Sequence, residues 1–131
     1  ALPLYNAIKE DVSAEVMQLL IKEYPDALKE KDEEGRLPLH VAIVKYQYGG
    51  VVSDEVIQLL VNEYPDAVKE KDEDGELLLH KAVEYGASVK VIQLLINEYP
   101  GALKEKDVDG ALPLYMAIEE GASVEVIQLL I

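Results

Sequence analysis

The two histidines are the residues of this sequence best suited to proton transfer or metal binding, because imidazole titrates near neutral pH and is a common metal ligand. His40 and His80 occupy the same position in two similar segments, LPLHVAI and LLLHKAV. A catalytic or metal role would therefore require two copies of one site. Two further copies of the segment carry Tyr5 and Tyr115 there, and a phenol does not titrate near neutrality. We expect all four side chains to be structural, with each imidazole hydrogen-bonded to a neighbouring repeat unit.

The serines that could act as nucleophiles also recur. Ser13, Ser53, Ser88 and Ser123 each stand three residues before a valine that opens an apolar block, which is typical of a helix N-cap. Neither histidine lies near a serine in the repeat plan, and there is no cysteine, no phosphate-cradling glycine loop and no HExxH motif. We therefore expect no catalytic residue, no cofactor and no enzymatic activity.

The acidic turns raise the alternative of a calcium site. Glu70, Asp72, Asp74 and Gly75 match positions 1, 3, 5 and 6 of an EF-hand loop, but position 12 falls on Lys81 instead of the required glutamate. The equivalent loops lack that glutamate as well. We expect no dedicated metal site, and weak, unspecific cation binding by the turns is a minor alternative.

The charge balance is strongly acidic, with 26 acidic and 12 basic residues and a formal net charge of −14. Such a surface repels phosphate backbones and anionic membranes and attracts basic protein segments. No apolar run approaches the roughly 20 residues needed to span a bilayer. We expect a protein partner, basic or amphipathic, and neither nucleic acid nor membrane; alternatively, the acidity only maintains solubility. The absence of cysteine and of an export signal favours an intracellular, cytoplasmic setting.

The segments that carry these residues recur along the whole chain. Copies begin at Leu2, Leu37, Leu77 and Leu112, at intervals of 35, 40 and 35 residues, and a second apolar block such as VIQLLI follows each one. A period of this size is typical of a solenoid, in which each repeat buries its apolar face against its neighbours. We predict an all-α repeat solenoid that forms a single domain, residues 1–131. Its repeats are approximately 1–36, 37–76, 77–111 and 112–131, the last incomplete.

Local signals in each repeat predict a helix, a loop, a second helix and a long loop. Proline at the second position of LPL suits the first turn of a helix, serine caps the second helix, and a Tyr-Pro pair ends it. A D-x-x-G turn follows, with its glycine at Gly35, Gly75 and Gly110. Aspartate first and glycine fourth favour a type I turn, so we expect each of these glycines to build the tip of a protruding hairpin.

This order of elements resembles the ankyrin repeat. The resemblance rests on D-x-x-G before a PLH element, then an alanine, then a V-x-x-LL helix, and it covers the whole chain. Leucine replaces the threonine of the family's TPLH, and the EYPDALKEKD loop is two residues longer than the family's usual stretch. The resemblance implies four helix-loop-helix repeats that bind another protein through hairpin tips and the concave face of the first helices.

Positions that break the repeat pattern are our candidates for partner binding. The main one is the insertion of the second repeat, Tyr46 to Val52, because tyrosines are enriched at binding hot spots. A tolerated surface insertion is the alternative, since loop length costs little. The full candidate set is Val44, Lys45, Tyr46, Tyr48, Glu84, Tyr85, Glu119 and Glu120 along the groove, and Glu33, Glu34, Arg36, Glu73, Asp74 and Glu76 at the tips.

The terminal helices predict a rival function. The last helix reads VIQLLI, as interior helices do, so its outward side should be apolar, and neither end has a visible polar cap. The rival is a structural module of a longer array, or of one that self-associates end to end.

Overall fold

The computed structural model describes residues 3–10, 12–48, 52–72 and 75–131. Within these ranges lie eight α-helices and no strand. The α-helices are α1 (Pro3–Lys9), α2 (Ala14–Glu23), α3 (Pro38–Val44), α4 (Asp54–Glu63), α5 (Leu78–Tyr85), α6 (Val89–Glu98), α7 (Pro113–Glu119) and α8 (Val124–Leu130). Short 3-10 helices span Pro25–Lys29, Lys45–Tyr48, Pro65–Lys69 and Pro100–Lys104. None of the helices in the described residues combines the length and apolar character needed to cross a membrane.

The second helix of each repeat begins at its serine. The hydroxyls of Ser13, Ser88 and Ser123 accept a hydrogen bond from the backbone N–H three residues on. Ser53 instead accepts from the N–H of Glu55, at 3.1 Å. Each bond satisfies an N–H that has no partner within the helix, which stabilises the helix by ~1 kcal/mol. These contacts confirm the predicted N-caps.

The Tyr-Pro pairs end three of these helices, as predicted. At Tyr24, Tyr64 and Tyr99 the backbone leaves the α region, and the next residue, proline, opens a five-residue 3-10 helix. We predicted an irregular loop at these positions. The structure differs because proline's fixed φ favours a first helical position, where its missing N–H would have had no partner.

Beyond each of the three 3-10 helices that begin with proline, the chain reverses direction in a tight turn. In the first turn the Gly35 N–H donates to the Asp32 carbonyl at 3.0 Å, and the Asp32 N–H donates to the Arg36 carbonyl at 2.8 Å. Gly35, Gly75 and Gly110 have φ of 77°, 78° and 82°, where a side chain would be strained. We call 24–36, 64–76 and 99–111 the first, second and third hairpin segments; residues 73 and 74 of the second lie outside the described residues.

The repeats pack against one another in chain order. The first helices form one stack, α1 on α3, α3 on α5 and α5 on α7, and the second helices form another, α2 on α4, α4 on α6 and α6 on α8. One continuous cluster of buried side chains runs through both stacks. The predicted all-α repeat solenoid is thereby confirmed.

The second helices bury more than one amphipathic stripe. In α4, Val56 and Leu60 are buried and Leu59 is partly buried, but Ile57 is completely covered as well. The reason is that α4 packs between α2 and α6 while also contacting α3. A helix enclosed on three sides covers positions that one amphipathic face leaves out.

Candidate functional site

The histidine position joins a first helix to the following hairpin segment. The Nδ1 of His80 accepts a hydrogen bond from the Leu77 N–H at 3.1 Å, and its Nε2 lies 2.9 Å from the Glu105 carbonyl oxygen. Because Nδ1 accepts, Nε2 carries the proton and donates it to that carbonyl. The ring is completely buried, so both of its polar atoms are used within the fold.

The other three copies of this position have different surroundings. The Tyr5 hydroxyl lies 2.6 Å from the carbonyl oxygens of Glu30 and Arg36, in the first hairpin segment. His40 Nδ1 accepts from the Leu37 N–H at 3.2 Å, but its buried Nε2 has no hydrogen-bond partner among the described residues. Tyr115 is 58% exposed.

Burial also sets the titration of these groups. Desolvation, partly opposed by the charges of Glu70 and Asp72, lowers the pKa of His40. Burial together with the nearby Asp32 charge raises the pKa of Tyr5 to about 12. Neither group is accessible and poised for proton transfer near neutral pH.

The candidate residues at the hairpin tips carry ion pairs within their own segments. Arg36 Nε lies 3.0 Å from Asp32 Oδ2, and its Nη2 lies 2.9 Å from Glu34 Oε2. Hydrogen bonds from Arg36 outweigh desolvation and lower the pKa of Asp32. Glu33 and Glu34 are exposed beside this cation.

The second tip is arranged differently. Glu76 is only 8% exposed, and its Oε1 lies 2.8 Å from Lys81 Nζ, which is also 3.7 Å from Asp72 Oδ2. Burial opposes the Lys81 charge, but the hydrogen bond and the charge of Glu76 raise its pKa. Glu76 therefore offers little surface to a partner. Glu73 and Asp74, also proposed for this tip, lie outside the described residues.

The described start of the insertion and the Lys45 that precedes it are hydrogen-bonded back onto the protein. They lie in the 3-10 helix Lys45–Tyr48. Lys45 Nζ donates to the Ile8 carbonyl at 2.9 Å, and the half-buried Tyr46 donates its hydroxyl to the Val52 carbonyl at 3.3 Å. Desolvation raises the pKa of Tyr46. The Tyr48 side chain is outside the described residues. Lys45 and Tyr46 are therefore the candidates here whose setting is defined, and both are hydrogen-bonded within the chain.

A hollow of about 310 Å³ brings four of the proposed residues together. It lies between the first and second hairpin segments and the helices α3 and α5. Glu34 and Arg36 line it from the first hairpin segment, Val44 from α3 and Tyr85 from α5. Lys81 and Gln47, which we did not propose, also line it. Lys81 is the equivalent of Val41 in the preceding repeat. Comparing the repeats could have identified it, because a charged residue replaces an apolar one at this position.

A second hollow, of about 440 Å³, collects acidic residues at the ends of α5 and α7. Glu84, Tyr85 and Glu120 line it, and Glu119 is exposed next to Glu120. Burial raises the pKa of Glu84, with further contributions from the charges of Glu76, Glu120 and Asp107, while Lys81 opposes the shift. The carboxylates of Glu76, Glu120 and Asp107 thus make the surroundings of Glu84 acidic.

Two sets of contacts between hairpin segments were not predicted. Lys31 Nζ lies 3.7 Å from Glu70 Oε1 and Lys71 Nζ lies 3.4 Å from Glu105 Oε2, so each segment pairs with the next. Lysine ammonium groups also lie over tyrosine rings of the next segment, Lys29 over Tyr64 and Lys69 over Tyr99. The residues involved belong to the recurring KEKD and EYP motifs, so the sequence contained a signal. The contacts join different repeats, however, and the spacing within one repeat does not reveal them.

No group of three or more histidine or acidic side chains in the described ranges is arranged to hold a metal ion. The geometry instead offers a surface of first helices and hairpin segments with several exposed acidic side chains and half-buried tyrosines. Besides the two hollows above it has a third, of about 480 Å³, lined by Tyr5, Glu33, Glu34 and Arg36. Such a surface suits binding more than reaction chemistry.

Comparison with known proteins agrees with the resemblance stated above. A family model of ankyrin repeats matches residues 46–131 with three copies, about two thirds of the chain. No curated protein matches the chain. Repeats of this type are generally protein–protein interaction modules and are typically non-catalytic. The order of helices and turns and the family match together establish that this chain belongs to the ankyrin-repeat family.

Proposed function

We propose that this chain is a non-catalytic scaffold that binds a basic or amphipathic segment of a partner protein. The binding surface is the groove, which we define as the exposed side of α1, α3, α5 and α7 together with the hairpin tips. Ankyrin repeats in general bind proteins. The groove, the tips and the chemistry of the partner are our inference for this chain.

The proposal rests on the charge balance of the groove, whose cations Arg36 and Lys81 are paired with carboxylates of this chain. Arg36 is held by Asp32 and Glu34, and Lys81 is held by Glu76 and Asp72. Their positive charge is therefore balanced within the chain. The exposed Glu84, Glu119 and Glu120 leave the far part of the groove acidic. Long-range attraction of a basic segment and repulsion of nucleic acid follow from this charge distribution.

Apolar surface beside these charges supports an amphipathic partner. Val44 and Tyr85 line the 310 Å³ hollow, and the Tyr85 ring lies 5.6 Å from Lys81 Nζ, so this ring already accepts a cation on one face. A partner side chain that is apolar along its stem and cationic at its tip would suit the hollow. We also propose that the protein binds this partner in an intracellular, cytoplasmic setting.

Charge reversal tests the proposal. A pull-down with the intact chain first retrieves a partner, and binding is then measured for a variant with Glu84→Lys, Glu119→Lys and Glu120→Lys. We expect at least a tenfold loss of affinity and a weaker salt dependence, since close charge pairs at interfaces are worth a few kcal/mol together. A matched control reverses Glu15, Glu55 and Glu125, which are exposed on the second helices.

Equal losses in the groove and control variants would show that net charge alone governs binding, and no loss in either would refute the acidic groove. Alanine at Tyr46 and Tyr48 tests the insertion separately. Unchanged affinity there would remove the insertion from the site.

The stack edges favour a second candidate function, a structural module of a longer or end-to-end array. Leu19 is 63% exposed at one edge, and Ile118 is 59% exposed at the other. Covering these side chains with another repeat or chain would remove apolar surface from water, which favours association. Light scattering across a concentration series tests self-association: growth of particle mass supports end-to-end contact, whereas a strict monomer with cooperative unfolding contradicts it.

A further inference from the structure

We propose that the second hollow, of about 440 Å³, is a site for an aromatic side chain that stands next to a lysine or arginine in the partner segment. The inference rests on the proposed function and deepens it by naming the side chains that one part of the surface takes. The hollow lies where α5 and α7 end and where α6 and α8 begin. It is therefore at the end of the stack opposite to the hairpin tips.

The lining of the second hollow combines apolar side chains with an acidic rim. The buried Ile92 and Val126 and the 38% exposed Val89 supply the apolar part. Glu84 and Glu120 supply the rim, and both are exposed. An apolar occupant would remove the exposed surface of Val89 from water, and the two carboxylates attract a cation. The occupant should therefore be apolar and carry a positive charge beside it.

The junction between the second and third repeats shows how this chain fills the corresponding space. There Tyr46 packs against the buried core, and its hydroxyl donates to the Val52 carbonyl at 3.3 Å. The 3-10 helix that carries Tyr46 contacts α5 as well as α3. Burial raises the pKa of this hydroxyl, Asp54 adds to the rise and Ser88 opposes it, so both residues lie close to the ring. The occupant of this space is thus a tyrosine side chain.

The second hollow is the same space one repeat later. Three residues of its lining stand at the positions of the residues around the Tyr46 hydroxyl: Ala87, Val89 and Ser123 correspond to Val52, Asp54 and Ser88. The third repeat has no insertion, because Gly86 and Ala87 follow Tyr85 directly. Valine in place of aspartate also makes this space more apolar than its counterpart. A partner's ring would fill it as Tyr46 does, with the Ala87 carbonyl as the acceptor for a phenol.

The rim adds the requirement for a positive charge. Glu84 and Glu120 stand at the positions of Val44 and Tyr85, so the preceding junction has no acidic side chain there. Burial raises the pKa of Glu84, neighbouring carboxylates add to the rise, and Lys81 only partly opposes it. The surroundings of Glu84 are therefore acidic. A lysine or arginine next to the aromatic residue would supply the opposite charge while its stem lies along the ring.

Titration of the 131-residue chain with short peptides tests this inference without a natural partner. The probes are N-acetylated, C-amidated Lys-Tyr-Lys, Lys-Ala-Lys and Glu-Tyr-Glu, and the readout is the NMR chemical shift of each backbone amide. We expect Lys-Tyr-Lys to shift the amides of Gly121 and Ser123. It should bind at least about tenfold more tightly than Lys-Ala-Lys, because only the tyrosine peptide buries a ring. Glu-Tyr-Glu should not bind, because the acidic rim repels it.

Amide substitutions test the requirement for charge. Glu84→Gln together with Glu120→Gln should weaken the binding of Lys-Tyr-Lys about fivefold, as expected for two exposed charge pairs. The matched control carries Glu15→Gln and Glu55→Gln. These residues are exposed at the starts of α2 and α4, outside the lining of the hollow, and their loss should change the affinity by less than about twofold.

Removal of Tyr46 tests the comparison between the two junctions. p-Cresol has the shape of a tyrosine side chain, and in the unaltered chain it should shift the amide of Ser123 but not that of Asp54. In a Tyr46→Ala chain it should shift the Asp54 amide as well, because the space at the earlier junction has been vacated. The peptide titrations use the unaltered chain and do not depend on whether this variant folds.

Three results would overturn the inference: equal binding of the three peptides, shifts that avoid Gly121 and Ser123, or equal losses in the groove-end and control variants. The proposed function can be judged separately. If the peptides bind the hollow but charge reversal leaves a retrieved partner bound, the acidic groove fails and the aromatic site stands. If charge reversal weakens the partner but the peptides do not bind, the groove stands and this site is wrong.

Discussion

At the scale of single residues, four equivalent positions receive four different environments. His80 uses both ring nitrogens, Tyr5 lies near two carbonyls, His40 leaves Nε2 unmatched among the described residues, and Tyr115 is exposed. Tyr5 and His80 each contact a carbonyl of a hairpin segment. Equivalence along the sequence therefore does not by itself determine the contacts that a side chain makes in the fold.

The burial of His40 predicts a pH dependence of stability. Its pKa is lowered in the folded state by burial, whereas in the unfolded chain it titrates near 6.5. As the pH falls through that value, the unfolded state takes up the proton first, so the free energy of unfolding decreases. Urea unfolding between about pH 7.5 and about pH 5.5 should show this loss, within the range where histidine titrates.

A His40→Gln variant provides the comparison. Its stability should depend less on pH in the same range because the titrating group has been removed. Identical pH slopes for the two chains would contradict an assignment of this loss to His40.

At the scale of elements, the N-cap of α6 differs from the others. Ser88 Oγ accepts from the Val91 N–H and also donates to Asp54 Oδ1 at 2.8 Å, which joins α6 to the start of α4. The positions equivalent to Asp54 are Ala14, Val89 and Val124. This bridge therefore belongs to one junction, the one that follows the insertion.

Alanine substitutions should separate capping from bridging. Ser123→Ala removes only a cap and should cost ~1 kcal/mol. Ser88→Ala removes the cap and a hydrogen bond to a charged group and should cost ~2 kcal/mol or more, measured by urea unfolding. In an Asp54→Ala background the two serine substitutions should become similar, and a persisting difference would argue against the bridge.

At the scale of the whole molecule, charge opposes compactness while apolar stacking stabilises it. The net charge is −14. The pairs between successive hairpin segments, such as Lys31 with Glu70, involve partly exposed side chains and contribute little individually. Repulsion among the excess carboxylates is therefore the larger electrostatic effect.

Salt should consequently stabilise this chain. Raising sodium chloride from about 20 mM to about 500 mM shortens the screening length several-fold, so the thermal midpoint should rise. The control variant with Glu15, Glu55 and Glu125 changed to lysine has a net charge of smaller magnitude. Its thermal midpoint should therefore rise less with salt. A midpoint that falls with salt would mean that the ion pairs outweigh the repulsion.

The solenoid and its family follow from local signals: the repeat period, the capping serines, the Tyr-Pro helix ends and the turn glycines. These signals were sufficient because helix start, helix end and turn geometry depend on residues a few positions apart. The candidate surface was less accessible to such reasoning. Glu76 and Tyr46 break the repeat pattern, but Glu76 is buried against Lys81 and Tyr46 is bonded to Val52.

Which side chains are available to a partner depends on how the repeats pack. It brought Glu34, Arg36, Val44 and Tyr85 around one hollow, and it joined successive hairpin segments through lysine contacts with glutamate and tyrosine. Pairing across repeats depends on side chains that meet in space from positions 30 or more residues apart. The repeat period predicts that the repeats stack. Which atoms come into contact between them depends on how the side chains pack.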